Sequence, residues 1–432
     1  MVSFSKLPYH AGVKVQVYPS DNQKRIIEAN INGARFAYNE LVALNKELYE
    51  LKRVKTYIKI VDDRIKYLER LTSGEFGKLL QQRHPWLHAS GVGSAVITQA
   101  DRRYHDAWNM FRKVHTSGVP VFKKKKPNNA GSFQFSNLYP KITEDDRNLF
   151  NGRNRILDQY HLKLSLLGRI RVGAKPKSKK HYRPDSPLKR FMDLPQNIRI
   201  ATVTVSKTPV GKYYVSFQLG SDQPMLETLT STNHQIGIDL NTENFLTTSD
   251  GEIVPNPRFY RRTLPRLRRE QNKLSRRMRR AKAEGRELRN SRNYQKQRQV
   301  VAQLHERVTN QRHTFLENLA KTLVKNQDLV VVEKLQGKNL LKNHALAMSI
   351  SDVGWSIFTQ QLVKKATQGD DKEIRFVNPK NTTQTCSTCG YLMQGDEKLT
   401  LKDRKWTCPA CATMHIRDIN AAKNILTKGL AN

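Results

Sequence analysis

The stretch Ile236-Gly-Ile-Asp-Leu-Asn-Thr-Glu-Asn-Phe-Leu-Thr-Thr-Ser-Asp-Gly-Glu-Ile253 decides how this chain folds. Ile236 to Leu240 and Phe245 to Thr248 are short apolar runs with strand composition, Asp250-Gly251 is a turn pair, and a third strand begins at Ile253. Asp239 interrupts the first run. A carboxylate inside an apolar strand is costly unless it is ionised against a cation, so Asp239 is the first candidate for chemistry.

Downstream the apolar period lengthens. Leu264, Leu267, Leu274 and Met278, then Val301, Leu304, Val308, Phe315 and Leu319, keep spacings of three, four and seven that line one face of a helix, with a break at Gly285 between two arms. Leu329 to Val332 is a short buried strand that ends at Glu333. Val353 to Thr367 is helical, Ile374 to Val377 is a further strand, and Asp418 to Leu426 is a last helix with Asp418 at its head. Taken singly, a carboxylate at a strand end or helix start is more often a cap or a solvated edge. Taken in order, an Asp in a strand that leads a hairpin, a Glu ending a later strand and an Asp on the final helix form the series of an RNase H-like nuclease. Three such acids meeting at one point can hold two Mg²⁺ ions about 4 Å apart.

Between Glu333 and Asp418 lie all four cysteines of the chain, as Cys386-x2-Cys389 and Cys408-x2-Cys411 with eighteen residues between the pairs. That spacing is a four-cysteine zinc ribbon, structural because no coordination position is left for a substrate. Gly390 eases the first turn, while Ala412 stands in the second where glycine is usual. A thioredoxin-like pair would need one CxxC on a βαβ unit. His415 reads as a neighbour of the ribbon or a surface group rather than a fifth ligand.

Upstream, Val13, Val15 and Val17 alternate with polar residues up to Pro19, and Ser20 with Gln23 forms a capping box. Ile26, Ile27, Ala34, Ala37, Leu41 and Val42 share one face of the helix that follows, and helical patterns interrupted at Gly74, Gly77 and Pro85 continue to about Phe111. Then come Gly118, Pro120, Phe122 and the run Lys123 to Lys126, strand-like Phe133 and Phe135, and a hairpin turning at Pro209 and Gly211. Its arms, Ile198 to Val205 and Tyr213 to Leu219, belong to a small barrel or sheet that Val13 to Val17 completes. Ser221 to His234 reads as a linker.

The chain has 432 residues and a formal net charge of +38, so a polyanion is the expected partner, and nucleic acid leads. A membrane is the weaker alternative, because no apolar stretch approaches the roughly 20 residues a spanning helix needs. Met1 to Val17 lacks a signal-peptide pattern, and four clustered cysteines do not suit a secreted scaffold, so an intracellular protein is expected. Between Arg258 and Arg312 there are nineteen Lys or Arg against four Asp or Glu, on helices whose other face is apolar, which suits a phosphate-tracking surface.

These residues together resemble the TnpB (OrfB) family, transposon-encoded RNA-guided nucleases regarded as ancestral to the type V CRISPR effectors. The resemblance runs through Tyr18-Pro19 with Gln23, Ala34-Arg-Phe-Ala-Tyr-Asn39, Gly118-Val-Pro120, Phe122 with Lys123 to Lys126, Gly237-Ile-Asp-Leu240, and Val332-Glu-Lys-Leu335. It continues through Ile350-Ser-Asp-Val-Gly-Trp355, Thr385-Cys-Ser-Thr-Cys-Gly390, Trp406-Thr-Cys-Pro-Ala-Cys411 and Arg417-Asp-Ile-Asn-Ala-Ala-Lys-Asn-Ile425. It implies an α+β multidomain protein. A wedge-like β-barrel would occupy 1–20 and 115–230, with a helical recognition domain inserted at 21–114. An RNase H-like (RuvC) α/β nuclease domain would occupy 231–432, carrying a basic helical insertion at 256–326 and a zinc ribbon at 380–415.

The family's acids fall on Asp239, Glu333 and Asp418, with two Mg²⁺, and its single Zn²⁺ falls on Cys386, Cys389, Cys408 and Cys411. Nucleic-acid contacts are expected from Arg35, Asn39, Lys123, Lys124, Lys125, Lys126, Arg276, Arg277, Arg279 and Arg280. The implied activity is RNA-guided cleavage of double-stranded DNA, with a guide RNA and target DNA as partners, a short motif read beside the target, and a site of action in the prokaryotic cytoplasm at the nucleoid. A nuclease-silent RNA-guided DNA-binding regulator and a DNA transposase are the alternatives. Oligomeric state stays open. Two departures bear on the local turns: Ala412 and Ile416 stand where the family's Gly-x-x-His-Asp-Arg-Asp has Gly and the first Asp, and Asn241 replaces a common Gly.

Overall fold

In the computed structural model, residues 4–55, 57–114, 116–139, 142–143, 146–173, 188–192, 198–225, 229–334, 354–367, 371–400 and 402–431 are described. Leu335 and Ile350 to Val353 of the Ile350–Trp355 motif, and so Val353 at the start of the expected helix, lie outside them. The chain divides into two compact units, Met1–Met225 and Leu226–Asn432.

The first unit is built on an antiparallel sheet of seven strands: β1 (Tyr9–Tyr18), β2 (Gly131–Ser136), β3 (Arg155–Asp158), β4 (His161–Leu164), β5 (Gly168–Val172), β6 (Arg199–Lys207) and β7 (Tyr213–Ser221). Their order is β2-β6-β7-β1-β5-β4-β3. The edge strands β2 and β3 draw together at one end, where Arg153 N–H donates to Leu138 O at 2.8 Å and Asn154 N–H to Asn137 Oδ1 at 2.8 Å. The sheet therefore curls around its core without a β2–β3 ladder among the described residues. Ile198 and Ile200 point inward, and so do Val203 and Val205, although the two pairs are out of phase. A register shift between Ile200 and Val203 reconciles them, as a β-bulge does.

Five helices are inserted between β1 and β2: α1 (Asp21–Leu51), α2 (Lys59–Leu71), α3 (Phe76–Arg83), α4 (Trp86–Ala89) and α5 (Ser94–Lys113). The Ser20 capping box forms as its residues dictate, and Gln23 also donates to Leu167 O and Arg169 O, both at 2.8 Å, tying the helix start to the β4–β5 turn. Gly77 lies inside α3 and interrupts nothing.

The second unit holds a five-stranded sheet of β8 (Gln235–Leu240), β9 (Asn244–Thr248), β10 (Ile253–Pro255), β11 (Leu329–Glu333) and β12 (Glu373–Val377), in the order β10-β9-β8-β11-β12. The first three form an antiparallel meander, and β11 lies parallel to both β8 and β12. A parallel neighbour needs a long crossover. Here it consists of the basic helices α6 (Phe259–Ala283) and α7 (Arg292–Asn326), separated by a turn in which Gly285 takes φ +64°.

Alternation sorts the sheet's two faces. Ile236, Ile238, Leu240, Val330 and Val332 pack with Leu316, Ala320 and Leu323 of α7 and with Phe358 and Leu362 of α8 (Trp355–Ala366). Leu329 and Val331 face the other way, against Ile425 of α9 (Arg417–Leu430). A small hairpin of β13 (Lys405–Thr407) and β14 (Met414–Ile416) runs directly into α9.

Candidate active site and metal centre

Side-chain period places the acids. Along β8, Gly237 faces α9, since a Cβ built on it would lie 2.1 Å from Ala422 O. Asp239, two residues on, must face the same way. In the parallel ladder Val331 pairs with Gly237 and Val332 with Ile238, so Glu333 falls beside Asp239 on that same face. Ala422 lies over Gly237, and Asp418 precedes it by one helical turn of about 6 Å, close to the two-residue rise from Gly237 to Asp239. Asp239 and Glu333 thus lie side by side on the face that α9 covers, at the carboxyl ends of β8 and β11, with Asp418 at the amino end of that helix; among the described residues the three carboxylates are not all drawn within 4.8 Å of one another.

The electrostatics of that face fit oxygen-ligated cations. Asp239 is 8% exposed and Glu333 7%. Burial, then the charges of Glu333 and Asp418, push the Asp239 carboxyl up to about 7, and burial raises Glu333 as well. Like charges buried together need a counter-charge, and an all-oxygen donor set suits Mg²⁺. Part of that charge comes from arginine: Asp418 meets Arg404 at 3.4 Å and Arg417 at 3.3 Å, and Arg404 also pairs with Glu243. Asn241 donates to Asp239 Oδ2 at 3.4 Å, and its own Oδ1 accepts from Asn244 N–H at 2.8 Å. The residue that departs from the family pattern thus braces both the acid and the turn after it. Thr382 reaches Glu333 Oε1 with its hydroxyl at 2.5 Å. The arginine contacts and Thr382 are absent from the sequence-derived site; the polar run Asn381-Thr-Thr-Gln-Thr385 before the first cysteine was the one hint of Thr382.

Among the described residues, the four cysteines are the group of metal-ligating atoms drawn together within 4.8 Å. Cys386 and Cys411 sulfurs are 3.7 Å apart, and those of Cys389 and Cys408 3.6 Å. A tetrahedral zinc with Zn–S near 2.3 Å would set its sulfurs about 3.8 Å apart, so the quartet fits the ion. Both turns share one hydrogen-bond pattern: Gly390 N–H to Cys386 O and Ala412 N–H to Cys408 O, each 2.9 Å. Both residues are left-handed, Gly390 at φ +78° and Ala412 at φ +56°. Alanine therefore makes the turn expected of glycine, at a conformational cost. His415 Nε2 lies 3.1 Å from Cys386 Sγ and its ring packs against Trp406 at 4.6 Å, so it contacts a thiol and stays outside the quartet.

The expected nucleic-acid contacts fall in two places. In the first unit, Arg35 and Lys123 to Lys126 line a cleft of about 370 Å³ with Arg103 and no acidic residue. The Asn39 amide makes a two-way bond to the Lys123 backbone, at 2.8 and 3.1 Å, and fixes that segment of the cleft. Lys123 Nζ lies 3.2 Å from the centre of the Tyr38 ring, and burial, reinforced by Arg103 and Lys126, brings its ammonium down to about 8. In the second unit, Arg276, Arg277, Arg279 and Arg280 are exposed on α6, with Arg280 paired to Glu284 at 2.9 Å.

Three family models match the chain: "Probable transposase" over residues 213–344, "Cas12f1-like, TNB domain" over 355–425, and "Helix-turn-helix domain" over 10–53. The last span is built here as one strand and one long helix, β1 and α1. A Streptomyces pristinaespiralis protein, provisionally named RNA-guided DNA endonuclease, is 30% identical over 420 residues, covering 97% of this chain and 89% of that one. InsQ of Escherichia coli K12, with the same provisional description, is 28% identical over 248 residues, covering 54% and 57%. The mimivirus TnpB-like protein L79 is 31% identical over 148 residues, covering 33% and 27%. With 30% identity to the Streptomyces relative across 97% of this chain, and with the transposase and TNB models falling on the segments that carry the acids and the cysteines, the chain belongs to the TnpB (OrfB) family.

Proposed function

We propose that the protein is an RNA-guided DNA endonuclease that hydrolyses double-stranded DNA through Asp239, Glu333 and Asp418. One observation supports the reading: strand register puts Asp239 and Glu333, far apart in the chain, on the face covered by α9, whose amino end carries Asp418, and burial with the charges of the other two raises the Asp239 carboxyl. When bound there, a pair of Mg²⁺ ions supplies a water nucleophile at neutral pH and stabilises the leaving 3′ oxygen. The chain's own part is to hold that geometry. Asp239 and Glu333 are fixed by adjacent strands, Asp418 by the amino end of α9, and Arg404 and Arg417 balance Asp418 between turnovers. The cysteine quartet holds one structural Zn²⁺. The acid-free cleft of Arg35, Arg103 and Lys123 to Lys126, together with the exposed arginines of α6, would bind guide RNA and target DNA through phosphates.

Under this reading, base pairing with a guide RNA transcribed from a transposon end selects the target, and the protein reads a short adjacent motif and duplex shape. Residues 1–20 and 115–230 would act as the wedge-like domain, 21–114 as the recognition domain and 231–432 as the RuvC nuclease domain, in a prokaryotic cytoplasm. The test is cleavage in Mg²⁺ by the ribonucleoprotein purified with its co-expressed RNA. Sequencing that RNA supplies the guide, and a plasmid library with randomised flanks supplies the motif. Asp239→Ala is expected to abolish cutting while leaving RNA bound; full cleavage by Asp239→Ala ends the proposal.

A further inference from the structure

The segment between β12 and the first zinc turn connects the acids to the ribbon through one buried hydroxyl. Thr382 is 2% exposed, and its Oγ1 lies 2.5 Å from Glu333 Oε1 and 3.1 Å from Pro379 O. A hydroxyl has one proton to give, and a carboxylate oxygen is a stronger acceptor for it than a neutral carbonyl. The backbone of the same segment is held by two buried asparagines of α9. Asn424 Nδ2 donates to Thr382 O at 2.9 Å and Thr385 O at 2.6 Å. Asn420 Nδ2 donates to Thr385 O at 2.7 Å, and its Oδ1 accepts from Ser387 N–H at 2.8 Å, within the turn between Cys386 and Cys389. Asparagine is a poor helix former, and two of them buried in one helix with four bonds to a single loop indicate that the loop's position matters.

We propose that Thr382 is a positioning residue for Glu333: its hydroxyl fixes Oε1, leaves Oε2 for a divalent cation, and transmits to the acid site whether the zinc turn is formed. This inference rests on the metal-dependent nuclease reading above. Glu333 ends its strand with a side chain that has three rotatable bonds, so one held oxygen removes most of its freedom. Asn420 and Asn424 hold the Thr382 loop from the same helix that carries Asp418, so the elements bearing two of the three acids both touch that loop. Partners that orient a ligand in this way change metal affinity by about 10- to 100-fold when removed.

The experiment uses the full-length, zinc-loaded protein and Mn²⁺ as the probe, titrated calorimetrically, with zinc content measured on the same samples. Thr382→Val keeps the shape and loses the hydroxyl; it is expected to weaken Mn²⁺ binding by about 10- to 100-fold with one zinc still bound. Thr382→Ser is expected to restore affinity to within about threefold, a rescue that mere packing would not give. Wild-type affinity in Thr382→Val, or equal weakness of Ser and Val, overturns the inference. Zinc-stripped wild-type protein supplies a measurement independent of any variant: Mn²⁺ binding at least about tenfold weaker than after zinc reloading is expected, and equal affinity overturns the coupling. If wild type and Asp239→Ala bind Mn²⁺ alike, the nuclease reading itself fails, an outcome separate from the others.

Discussion

Substituting Gly237 by alanine should damage the proposed catalytic site without touching an acid. The added Cβ would sit 2.1 Å from Ala422 O and 2.8 Å from both Leu426 N and Leu426 Cβ, so it meets backbone rather than a flexible side chain. An ordinary carbon-to-carbonyl approach is about 3.3 Å, leaving α9 to retreat from β8 by about 1.2 Å. Overpacking of this kind costs about 1–3 kcal/mol, or about 2–4 °C of melting temperature per kcal/mol for a unit of this size. Asp418 rides on the retreating helix while Asp239 and Glu333 stay on the sheet. A displacement near 1 Å in a metal-assisted site costs on the order of 100-fold in rate. The assay is single-turnover plasmid cleavage by the ribonucleoprotein beside thermal unfolding of the same preparation. Gly12→Ala, where no atom lies within 4 Å of the new Cβ, is the control expected to change neither. Wild-type cleavage by a stably folded Gly237→Ala protein would refute the claim that this close approach sets the distance between the acids.

Three further outcomes come from the same geometry. With divalent cations omitted, the folded-state pKa of Asp239, about 7, exceeds the ordinary 3.8 of the unfolded chain, so the folded protein holds the proton more tightly. Stability from this group is then present below about pH 4 and is lost as pH rises toward 7, at up to about 1.4 kcal/mol per pH unit; Asp239→Asn should flatten that slope in melting curves, and Mg²⁺ should flatten it for the wild type. Ala412→Gly relieves an alanine held at φ +56° and should stabilise the ribbon by about 1 kcal/mol, seen as about fivefold slower zinc loss to a chelator; faster loss would show that the turn prefers the methyl group. Arg404→Ala removes a half-exposed partner of Asp418 and should lower the Mg²⁺ concentration needed for half-maximal cleavage by no more than about fivefold, the scale of an exposed ion pair; a higher requirement would mean that Arg404 supports the metal-bound state.

The legible parts of the sequence were those with a local signature. Asp239, Glu333 and the cysteines could be singled out because each breaks or ends a pattern that physical chemistry makes regular: a carboxylate in an apolar strand, thiols at ligand spacing. The strands around Asp239 and the buried strand ending at Glu333 emerge as read, because apolar runs and turn pairs mark them, while the parallel pairing of the latter shows only in the structure. The short strands β3 to β5 escaped the reading. Their sequences, Arg-Ile-Leu-Asp, His-Leu-Lys-Leu and Gly-Arg-Ile-Arg-Val, are rich in charge and too brief to establish a period, and their inward residues Ile156, Leu162, Leu164, Ile170 and Val172 show only once the sheet curls. The phase of β6 was ambiguous for a definite reason, since a bulge lets both Ile200 and Val203 point inward.

What no local pattern could reveal is how the site is held, because its supports are pairings between distant residues. Gly237 reads as a weak strand residue until α9 is laid across it, and Asn420 and Asn424 read as poor helix formers until the cysteine loop accepts their bonds. The ribbon follows the same logic. A closed four-thiol site leaves no position for substrate, so its contribution has to pass through the protein. Two routes leave it, and both end at acids. Strand β14 continues without a break into Arg417 and Asp418, and the first zinc turn connects through Asn420, Asn424 and Thr382 to Glu333. Asp239 alone is placed by the sheet with no help from the ribbon. Partial loss of zinc should therefore weaken the metal site through Glu333 and Asp418 together while Asp239 keeps its place between β11 and β9, which is why stripping zinc should lower cation affinity before it unfolds the sheet.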